Sequence, residues 1–301
     1  MKTKSLVAGV LALDNLKTPN RSGEKIVGGA GIYSSISSSL FTETALVAAI
    51  GNDFPKDVIE KIKKHGIDMK SVSQLDYPTF HWSGEYKGDM SQAITHKTDF
   101  RINNYYNWDI EKEHQNPPIL LLCNNDPNIQ LKILEQVNAK IIAMDTMNLW
   151  IDIAKEKLDL VVSQVDILFI NDAEAQQYSG YQELDKVAET LLEKGPKFVI
   201  IKKGAQGASL YSKKLTKHLP AFKVNNFVDP TGAGDSFAGA AIGYLANRNT
   251  INEENLITAM NYGAAVASVT VEGFGTESIM NIAKSEIDAR FQELGGGPGR
   301  I

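Results

Sequence analysis

Short apolar runs alternate along most of the chain with segments in which apolar and charged positions are mixed. An apolar run bounded by turn residues predicts a buried strand, and apolar positions three or four residues apart predict a helix that packs on it. Strands are predicted at 5–13, 44–54, 119–125, 140–146, 161–172, 197–211 and 221–228. Helices are predicted at 28–41, 56–66, 128–138, 184–195, 236–246, 251–271 and 283–294. This alternation indicates an α/β fold with a doubly wound, mostly parallel sheet in a single domain, 1–301.

The pattern changes between residues 77 and 103, where Thr, Phe, Trp and Tyr are spaced by polar residues and glycines interrupt the run. Alternation with a period of two predicts exposed antiparallel strands. We therefore expect a small β appendage inserted in the main domain. The glycine-rich end of the chain, 295–301, is expected to form a flexible tail.

The composition narrows the range of partners. The chain has 301 residues, of which 43% are hydrophobic and 22% charged, and its formal net charge is -5. Because this balance gives no basic footprint, we expect neither a nucleic-acid partner nor an anionic membrane partner. The single cysteine, Cys123, lies in an apolar run and cannot form an internal disulfide. No apolar stretch approaches the ~20 residues that span a bilayer, and a cytoplasmic protein is expected.

The stretch VDPTGAGDSFAGAAIGYLA, residues 228–246, combines features that suit an anion site. Gly232, Ala233 and Gly234 lie at a predicted turn into a helix, where free N–H groups and the helix dipole attract anions. Asp235 is placed to accept the proton of an attacking hydroxyl, although the dipole is expected to keep it ionised and therefore a weak base. Aspartate is also among the commonest helix N-caps. These residues alone leave a reactive site and a structural cap both open.

Three other motifs occur with this stretch in the order seen in one known family. They are the paired glycines and later Gly-x-Asp of 28–55, the Asn-x-x-Glu of 171–174 and the glycine-rich turn of 202–208. Together the four motifs resemble the ribokinase-like carbohydrate kinase family, also called the PfkB family, across nearly the whole chain. The resemblance implies a kinase that uses ATP and Mg²⁺ to phosphorylate a hydroxyl group of a sugar or sugar derivative.

The resemblance also implies a role for each motif residue. Asp235 would be the general base, and the turn Gly232-Ala233-Gly234 would hold the phosphoryl group. The implied substrate ligands are Asp14, Gly28, Gly29, Tyr33 and Asp235. The implied nucleotide ligands are Asn171, Glu174, Lys202, Gly204, Gly207 and Asn261.

Two metal sites follow from the same resemblance. Glu174 would hold magnesium through water. The backbone near Asp229 and Thr231, closed by a later loop at 271–278, would form a monovalent-cation site that suits K⁺. A structural alternative exists for the magnesium motif, because Asn171 and Glu174 have the spacing of a helix capping box.

Two residues depart from the family pattern. Tyr33 stands where ribose-binding members commonly carry Asn, and Lys202 stands where many members carry Thr. A bulky phenol suits a substrate with a stackable ring, so a nucleoside kinase is an alternative to a sugar kinase. A second alternative is a non-catalytic sugar- or nucleotide-sensing protein on the same fold.

The β appendage resembles the family's lid, formed here by strands near 13–26 and 77–103. Such a lid covers a small-molecule substrate and in several members pairs two subunits, which leaves a homodimer open. Its aromatic and histidine side chains could reach the substrate from the lid, but most of them are expected to form lid core or dimer contacts. They are Phe80, His81, Trp82, Tyr86 and His96.

Other classes of site do not fit the sequence. The chain contains no G-x-x-x-x-G-K-[ST] motif. The five histidines, at 65, 81, 96, 114 and 218, show no metal-ligand spacing. Classical P-loop chemistry and zinc chemistry are therefore not expected.

Overall fold

The computed structural model describes residues 2–88, 90, 93–248 and 251–296. Of the predicted tail, 295–301, the part from 297 onward lies outside these residues. Within the described chain, none of the helices combines the length and the apolar character needed to cross a membrane.

Two sheets contain all the named strands of the described chain. The strands are β1 (Ser5–Ala8), β2 (Ala12–Lys17), β3 (Ser22–Gly28), β4 (Thr44–Gly51), β5 (Val72–Leu75), β6 (His81–Tyr86), β7 (Ala93–Asp99), β8 (Ile119–Leu122), β9 (Ile141–Asp145), β10 (Ile167–Asn171), β11 (Phe198–Lys202), β12 (Ala208–Tyr211) and β13 (Thr216–Leu219).

The α-helices lie between these strands, as the alternation predicts. They are α1 (Ala30–Ser39), α2 (Lys56–Lys64), α3 (Pro127–Leu134), α4 (Asn148–Ile153), α5 (Lys155–Val162), α6 (Asp172–Ser179), α7 (Leu184–Glu193), α8 (Ala233–Leu245), α9 (Glu253–Thr270) and α10 (Lys284–Glu293). Short 3-10 helices span Arg101–Tyr105, Lys112–His114, Gly204–Gln206 and Ile279–Asn281.

The main sheet has nine strands in the order β13-β12-β11-β10-β9-β8-β1-β4-β5. Neighbouring strands are parallel from β11 to β5, whereas β12 and β13 run antiparallel at one edge. A central strand such as β8, buried along its whole length, needs cover on both faces. Helices α3 to α7 cover one face, and α1, α2 and α8 to α10 cover the other. The predicted doubly wound, mostly parallel fold is confirmed.

The second sheet has four strands in the order β3-β2-β6-β7. Strands β2 and β3 are antiparallel, β2 and β6 are parallel, and β6 and β7 are antiparallel. We call this sheet the lid. It comes from the two chain segments predicted for it, near 13–26 and 77–103.

The predicted first strand, 5–13, is in fact two strands in different sheets. The main-sheet strand β1 ends at Ala8, and the lid strand β2 begins at Ala12. A Cβ atom at Gly9 would lie 2.9 Å from the backbone of Gly31, so this glycine allows α1 to approach the crossing. The apolar pattern does not show the break because both strands are buried. Asp14 therefore lies within the lid sheet instead of at the end of the first strand.

Two other strand predictions are wrong in extent or in kind. In 161–172 the strand begins only at Ile167, because the first two residues complete α5. Helices α4 and α5 occupy a segment for which the apolar pattern predicts no element. Residues 221–228 form no strand, since β13 is already the sheet edge and the Val228 N–H bonds the carbonyl of Val271 at 2.8 Å. Phe227 is 41% exposed, so the alternating apolar positions of residues 221–228 do not form a buried face.

Small residues bring helices α1 and α8 into close contact. A Cβ atom at Gly239 would lie 2.3 Å from the carbonyl oxygen of Ser34, and one at Gly243 would lie 2.6 Å from that of Ser38. The Ser34 hydroxyl donates a hydrogen bond to the Asp235 carbonyl oxygen at 3.0 Å. The glycine motifs that precede the two helices are distant in sequence, and this contact places them side by side.

Candidate active site

Three neighbouring strands of the main sheet end in polar residues. Asp145 ends β9, Asn171 ends β10 and Lys202 ends β11. Because the carboxyl ends of parallel strands share one edge of the sheet, these side chains lie together. The first turn of α8 meets them there, since a Cβ atom at Gly234 would lie 3.0 Å from Lys202 Nζ. The glycine motif and the predicted nucleotide residues thus form one site.

The turn Gly232-Ala233-Gly234 does not offer all three of its N–H groups to an anion. Gly232 is the N-cap of α8 with a φ of 77°, and a Cβ atom there would lie 2.4 Å from the Tyr33 ring. Ala233 donates its N–H to the Pro230 carbonyl at 3.1 Å. Across the described residues, the N–H groups of Gly232 and Gly234 have no acceptor. These two donors are the ones that remain for an anion.

Asp235 is the third residue of α8, and its side chain makes no capping hydrogen bond. Its pKa is raised to about 7, mainly by burial; Asp145 contributes to the rise and Lys202 opposes it. Burial disfavours the ionised form of this carboxylate, in the direction opposite to the effect expected of the helix dipole. A carboxyl group with this pKa is matched to accept a proton at neutral pH. Gly232, and not Asp235, is the N-cap of α8, so the structure does not support a capping role for this carboxylate.

Asp14 lies on the lid strand β2, next to the paired glycines Gly28 and Gly29. It is 6% exposed, accepts a hydrogen bond from the Trp82 backbone N–H and keeps Oδ1 without a partner among the described residues. A Cβ atom at Gly28 would lie 2.3 Å from Asp14 Oδ2, so glycine is needed there. Burial raises the pKa of Asp14 to about 8, and Asp229 adds to the rise. A hydroxyl group of a substrate would give the free oxygen the donor it lacks.

Tyr33 is 1% exposed, and its ring packs beneath Gly232. In this position the ring face is covered by protein and does not stack on a substrate ring. Its hydroxyl has no partner within the part of the chain that the structure describes. Burial raises the pKa of this hydroxyl, and Asp229, Asp14 and Asp235 raise it further. Tyr33 therefore lies near both Asp14, the expected substrate ligand, and Asp235, the expected base.

Tyr86 is a lid residue that lies near the same carboxylate groups as Tyr33. Burial raises the pKa of its hydroxyl, and the carboxylates of Asp229, Asp235 and Asp14 raise it further. It ends β6, so the lid strand covers the site. The sequence leaves open whether Tyr86 reaches the substrate or forms lid core or dimer contacts like its neighbours. In the structure, Tyr86 has different surroundings from the other aromatic and histidine side chains of the lid.

Trp82, His81 and His96 make contacts inside the lid, whereas Phe80 packs against the core of the main domain. Trp82 donates from Nε1 to the Thr95 hydroxyl at 3.1 Å and packs over Gly84. His81 Nδ1 contacts the Leu13 carbonyl oxygen. His96 lies 3.4 Å from a Glu85 carboxylate oxygen.

Asn171 and Glu174 form the capping box that the spacing allows. The Asn171 side chain accepts from the Glu174 N–H at 2.8 Å, and the Glu174 carboxylate accepts from the Asn171 N–H at 3.1 Å. Burial raises the pKa of Glu174 to about 7, Lys202 lowers it, and Asp145 raises it. A buried carboxyl group that is costly to ionise is stabilised by a nearby cation, and oxygen ligands are those that magnesium prefers. These residues fit magnesium bound through water.

Asp145 is the functional residue that sequence reasoning missed. It is buried, and its carboxylate accepts a hydrogen bond from Lys202 Nζ. Burial raises the pKa of Asp145 and Lys202 opposes that rise; burial would lower the pKa of Lys202, but Asp145 and Glu174 raise it. The available signal is a carboxylate at the end of the apolar run KIIAMD, where a parallel strand meets the ligand edge.

The glycine-rich turn after β11 has two different glycines. A Cβ atom at Gly207 would lie 2.0 Å from the Leu219 carbonyl oxygen, so packing of the turn against β13 requires glycine. Gly204 has nothing within 4 Å of its Cβ position. Asn261 lies on α9, is 9% exposed and keeps Oδ1 without a partner among the described residues. Packing therefore explains the glycine at position 207, but it explains neither Gly204 nor Asn261.

Asp229 connects the glycine motif to the later loop. One of its carboxylate oxygens accepts from the Thr231 N–H at 2.9 Å, and the other accepts from the Gly275 N–H at 2.8 Å. The loop 271–278 thus closes on Asp229, as the resemblance implies. Both contacts order the backbone beside Thr231, where the monovalent cation is expected.

A separate polar cluster lies outside the active site. Asp68, Glu113 and His114 place one ligand atom each within 4.8 Å of one another. Histidine spacing does not reveal this group because its members come from distant segments. Lys70 donates to Glu113 at 2.6 Å and lies 3.6 Å from Asp68, so the carboxylates already have a cation.

Comparison with known proteins agrees with this geometry. The pattern of the pfkB family carbohydrate kinases matches residues 7–283. A cytidine kinase of Thermococcus kodakarensis is 28% identical, over 80% of this chain and 87% of its own. A solved nucleoside kinase of Methanocaldococcus jannaschii, described as an archaeal member of the ribokinase family, superposes with a TM-score of 0.77 at 21% identity, covering 97% of this chain and 99% of that one.

A second solved structure is a putative ribokinase II from E. coli in complex with ATP and Mg²⁺. It has a TM-score of 0.76 at 20% identity and covers 97% of this chain and 99% of its own. At these identities the superpositions show a shared fold, and the family match extends over most of the chain. The chain therefore belongs to the PfkB family of carbohydrate kinases, a phosphotransferase family with the ribokinase-like fold.

Proposed function

We propose that the protein is an ATP-dependent nucleoside kinase that transfers the γ-phosphoryl group of ATP to a hydroxyl group of the nucleoside's ribose. The observation that carries the proposal is that the buried Tyr33 ring packs against Gly232, in the turn before Asp235, while the carboxylates of Asp14 and Asp235 both raise the pKa of the Tyr33 hydroxyl. Asp14 offers an unpartnered oxygen, and Asp235 has a pKa of about 7. A hydroxyl group bound by Asp14 therefore lies close to a base.

The nucleoside as acceptor is supported by the relatives more than by the geometry. The cytidine kinase aligns over 80% of this chain, and the M. jannaschii nucleoside kinase shares its fold over 97%. Both names specify an acceptor that carries a sugar. A short carboxylate such as Asp14 can accept from two hydroxyl groups of that sugar.

Each residue of the site has a part in this reaction. Asp14 orients the acceptor, and Asp235 takes the proton of the attacking hydroxyl. The N–H groups of Gly232 and Gly234 hold the transferred phosphoryl group. Magnesium bound through water to Glu174 supplies charge neutralisation for the nucleotide phosphates.

The adenine and the lid complete the proposed complex. Asn261 Oδ1, which lacks a donor, is proposed to accept from the adenine amino group, and the open space at Gly204 is proposed to admit the nucleotide. Tyr86 and the lid exclude water from the reacting atoms, which prevents hydrolysis of ATP.

A free sugar is the second candidate acceptor, and one observation favours it. The Tyr33 ring is covered by Gly232 and is 1% exposed, so it presents no open face for a nucleobase. The binding site for a base would then have to come from other side chains.

A coupled ADP-release screen tests the proposal. Purine and pyrimidine nucleosides, aldoses, ketoses and sugar acids are assayed with ATP, magnesium and potassium. We expect a nucleoside to exceed ribose in kcat/KM by about 100-fold, the scale of discrimination that additional apolar contacts provide. Preference for a free sugar would support the second candidate, and no ADP release with any acceptor would support a sensing protein.

A further inference from the structure

We propose that Lys202 is a catalytic residue that binds the transferred phosphoryl group, and that Asp145 is a positioning residue that holds Lys202 in place. The inference rests on the proposed function only in requiring ATP as the phosphoryl donor, and it is independent of the acceptor. Lys202 and Asp145 end strands β11 and β9, and β10 lies between them.

The first support is the position of the ammonium group. The Lys202 side chain is 16% exposed, and its Nζ donates to the Asp145 carboxylate. The same Nζ would lie 3.0 Å from a Cβ atom at Gly234. Lys202 therefore contacts the α8 turn at the residue whose N–H has no acceptor across the described chain. A phosphoryl oxygen bound by that N–H is within reach of the ammonium group.

The second support is the balance of charge around Nζ. Three carboxylates, those of Asp145, Glu174 and Asp235, raise the pKa of Lys202 against its burial. A lysine whose only role was to neutralise Asp145 would need a single carboxylate group nearby. An ammonium group has three N–H donors, and Asp145 receives one of them among the described hydrogen bonds. Donors thus remain for phosphate oxygens.

The reaction step gives this ammonium group its role. The acceptor oxygen forms a bond to the γ-phosphorus, and the bond from that phosphorus to the oxygen shared with the β-phosphate breaks. ADP leaves with the electron pair of the broken bond, and the hydroxyl proton passes to Asp235. Charge on the phosphoryl oxygens is stabilised by a fixed cation, which needs no reorganisation during transfer. Asp145 provides that fixation, because it restricts a long and flexible side chain.

The test compares Lys202→Met with a matched control one residue away. Lys203 donates from Nζ to the Ser209 hydroxyl at 2.9 Å and makes no contact with the site among the described residues, so Lys203→Met is the control. We expect Lys202→Met to lower kcat about 100-fold or more, as loss of one preorganised donor does. The control is expected to retain the wild-type kcat. A Lys202→Met enzyme within threefold of wild type would overturn the proposal.

A binding measurement separates phosphoryl recognition from general nucleotide binding. By calorimetry, Lys202→Met should weaken binding of the β,γ-imido analogue of ATP about tenfold more than binding of ADP, because only the former carries a γ-phosphoryl group. Equal weakening of both nucleotides would overturn the proposal. This measurement needs no acceptor, so it remains decisive even where the acceptor screen shows no turnover and the proposed function fails.

Two further variants guard against misfolding and test the positioning role. Lys202→Met leaves Asp145 buried without a counter-charge, which is destabilising. The double variant Lys202→Met with Asp145→Asn removes both charges, and with a wild-type melting temperature it should show the same loss of kcat. Asp145→Asn alone keeps the ammonium group and should lose about tenfold in kcat with an unchanged KM for ATP.

The pH profile of kcat/KM distinguishes the proposed roles of Lys202 and Asp145 from those of a purely structural ion pair. Lys202 lowers the pKa of Asp235 and Asp145 raises it. The acidic limb of kcat/KM should therefore move to higher pH in Lys202→Met and to lower pH in Asp145→Asn. An unmoved limb in both variants would overturn the assignment.

Discussion

The two halves of the active site differ in how their buried polar groups are satisfied. The donor half, which consists of Asp145, Glu174 and Lys202, contains a buried ammonium group bonded to a carboxylate. The acceptor half, which consists of Asp14, Tyr33, Tyr86 and Asp229, leaves the Asp14 Oδ1 atom and the Tyr33 hydroxyl without partners among the described residues. No cation contributes to the pKa of Asp14.

This difference corresponds to the two ligands of a kinase. Phosphate groups are anions, so the half that receives them needs a cation and free N–H donors. A sugar carries neutral hydroxyl groups, so the half that receives it needs acceptors that are buried and unpaired. Unpaired buried polar atoms are unfavourable, so Asp14 Oδ1 and the Tyr33 hydroxyl indicate a place where a ligand completes the structure, as Asn261 Oδ1 does on the nucleotide side. Asp235 lies between the two halves, and changes there should have the largest effect.

Asp235→Asn should abolish transfer and leave both halves able to bind. Loss of the general base should lower kcat about 1,000-fold or more, while calorimetry should show nearly unchanged binding of the β,γ-imido analogue of ATP. The control is Asp57→Asn, at an exposed carboxylate in the first turn of α2. Turnover near the wild-type rate in Asp235→Asn would refute the role of Asp235 as base.

Asp14→Asn should damage the acceptor half alone. Replacing the Asp14 carboxyl group by an amide removes one of its two oxygens, which should reduce kcat/KM for the acceptor about 100-fold because a substrate hydroxyl group loses its partner. KM for ATP should stay within about twofold of wild type. A parallel loss in nucleotide binding would show that the two halves are not separable.

The smallest expected effect is on the stability of the ligand-free protein. Burial raises the pKa of Asp14 to about 8, and its unfolded value is near 3.8. The stability that this group contributes is fully present below the unfolded value and is lost as the pH rises through 8. Between pH 6 and pH 9 the melting temperature of wild type should therefore fall about 2–5 °C more than that of Asp14→Asn. Scanning calorimetry at the two pH values measures this difference, and equal falls would contradict it.

Much of the fold could be predicted because its strands are fully buried. Runs such as ILLL in β8 are apolar at every position, and a sheet that is covered on both faces imposes that pattern. The errors arise where apolar character does not specify a partner. The run 5–13 is buried throughout, although its two halves belong to different sheets. The alternating run 221–228 has no strand left to pair with.

The site was predictable to the extent that its chemistry is local. Asp235 and the turn before it can be recognised because the glycines, the carboxylate and the helix start are adjacent in sequence. Asp145 could not be found in this way, and Tyr86 could not be distinguished from the other lid side chains. Each lies at the end of an ordinary strand, and only the meeting of β9, β11, α8 and the lid places them beside Asp235.

The sequence by itself determined the alternation of strands and helices, the order of the four motifs and the identity of the groups available for chemistry. Only the tertiary structure decided what those groups do. Desolvation raises the pKa of Asp235 to about 7, close helix packing covers the Tyr33 ring, and a contact between two strand ends pairs Lys202 with Asp145. Burial and distance between residues far apart in the chain set these properties, and neither is a property of a local motif.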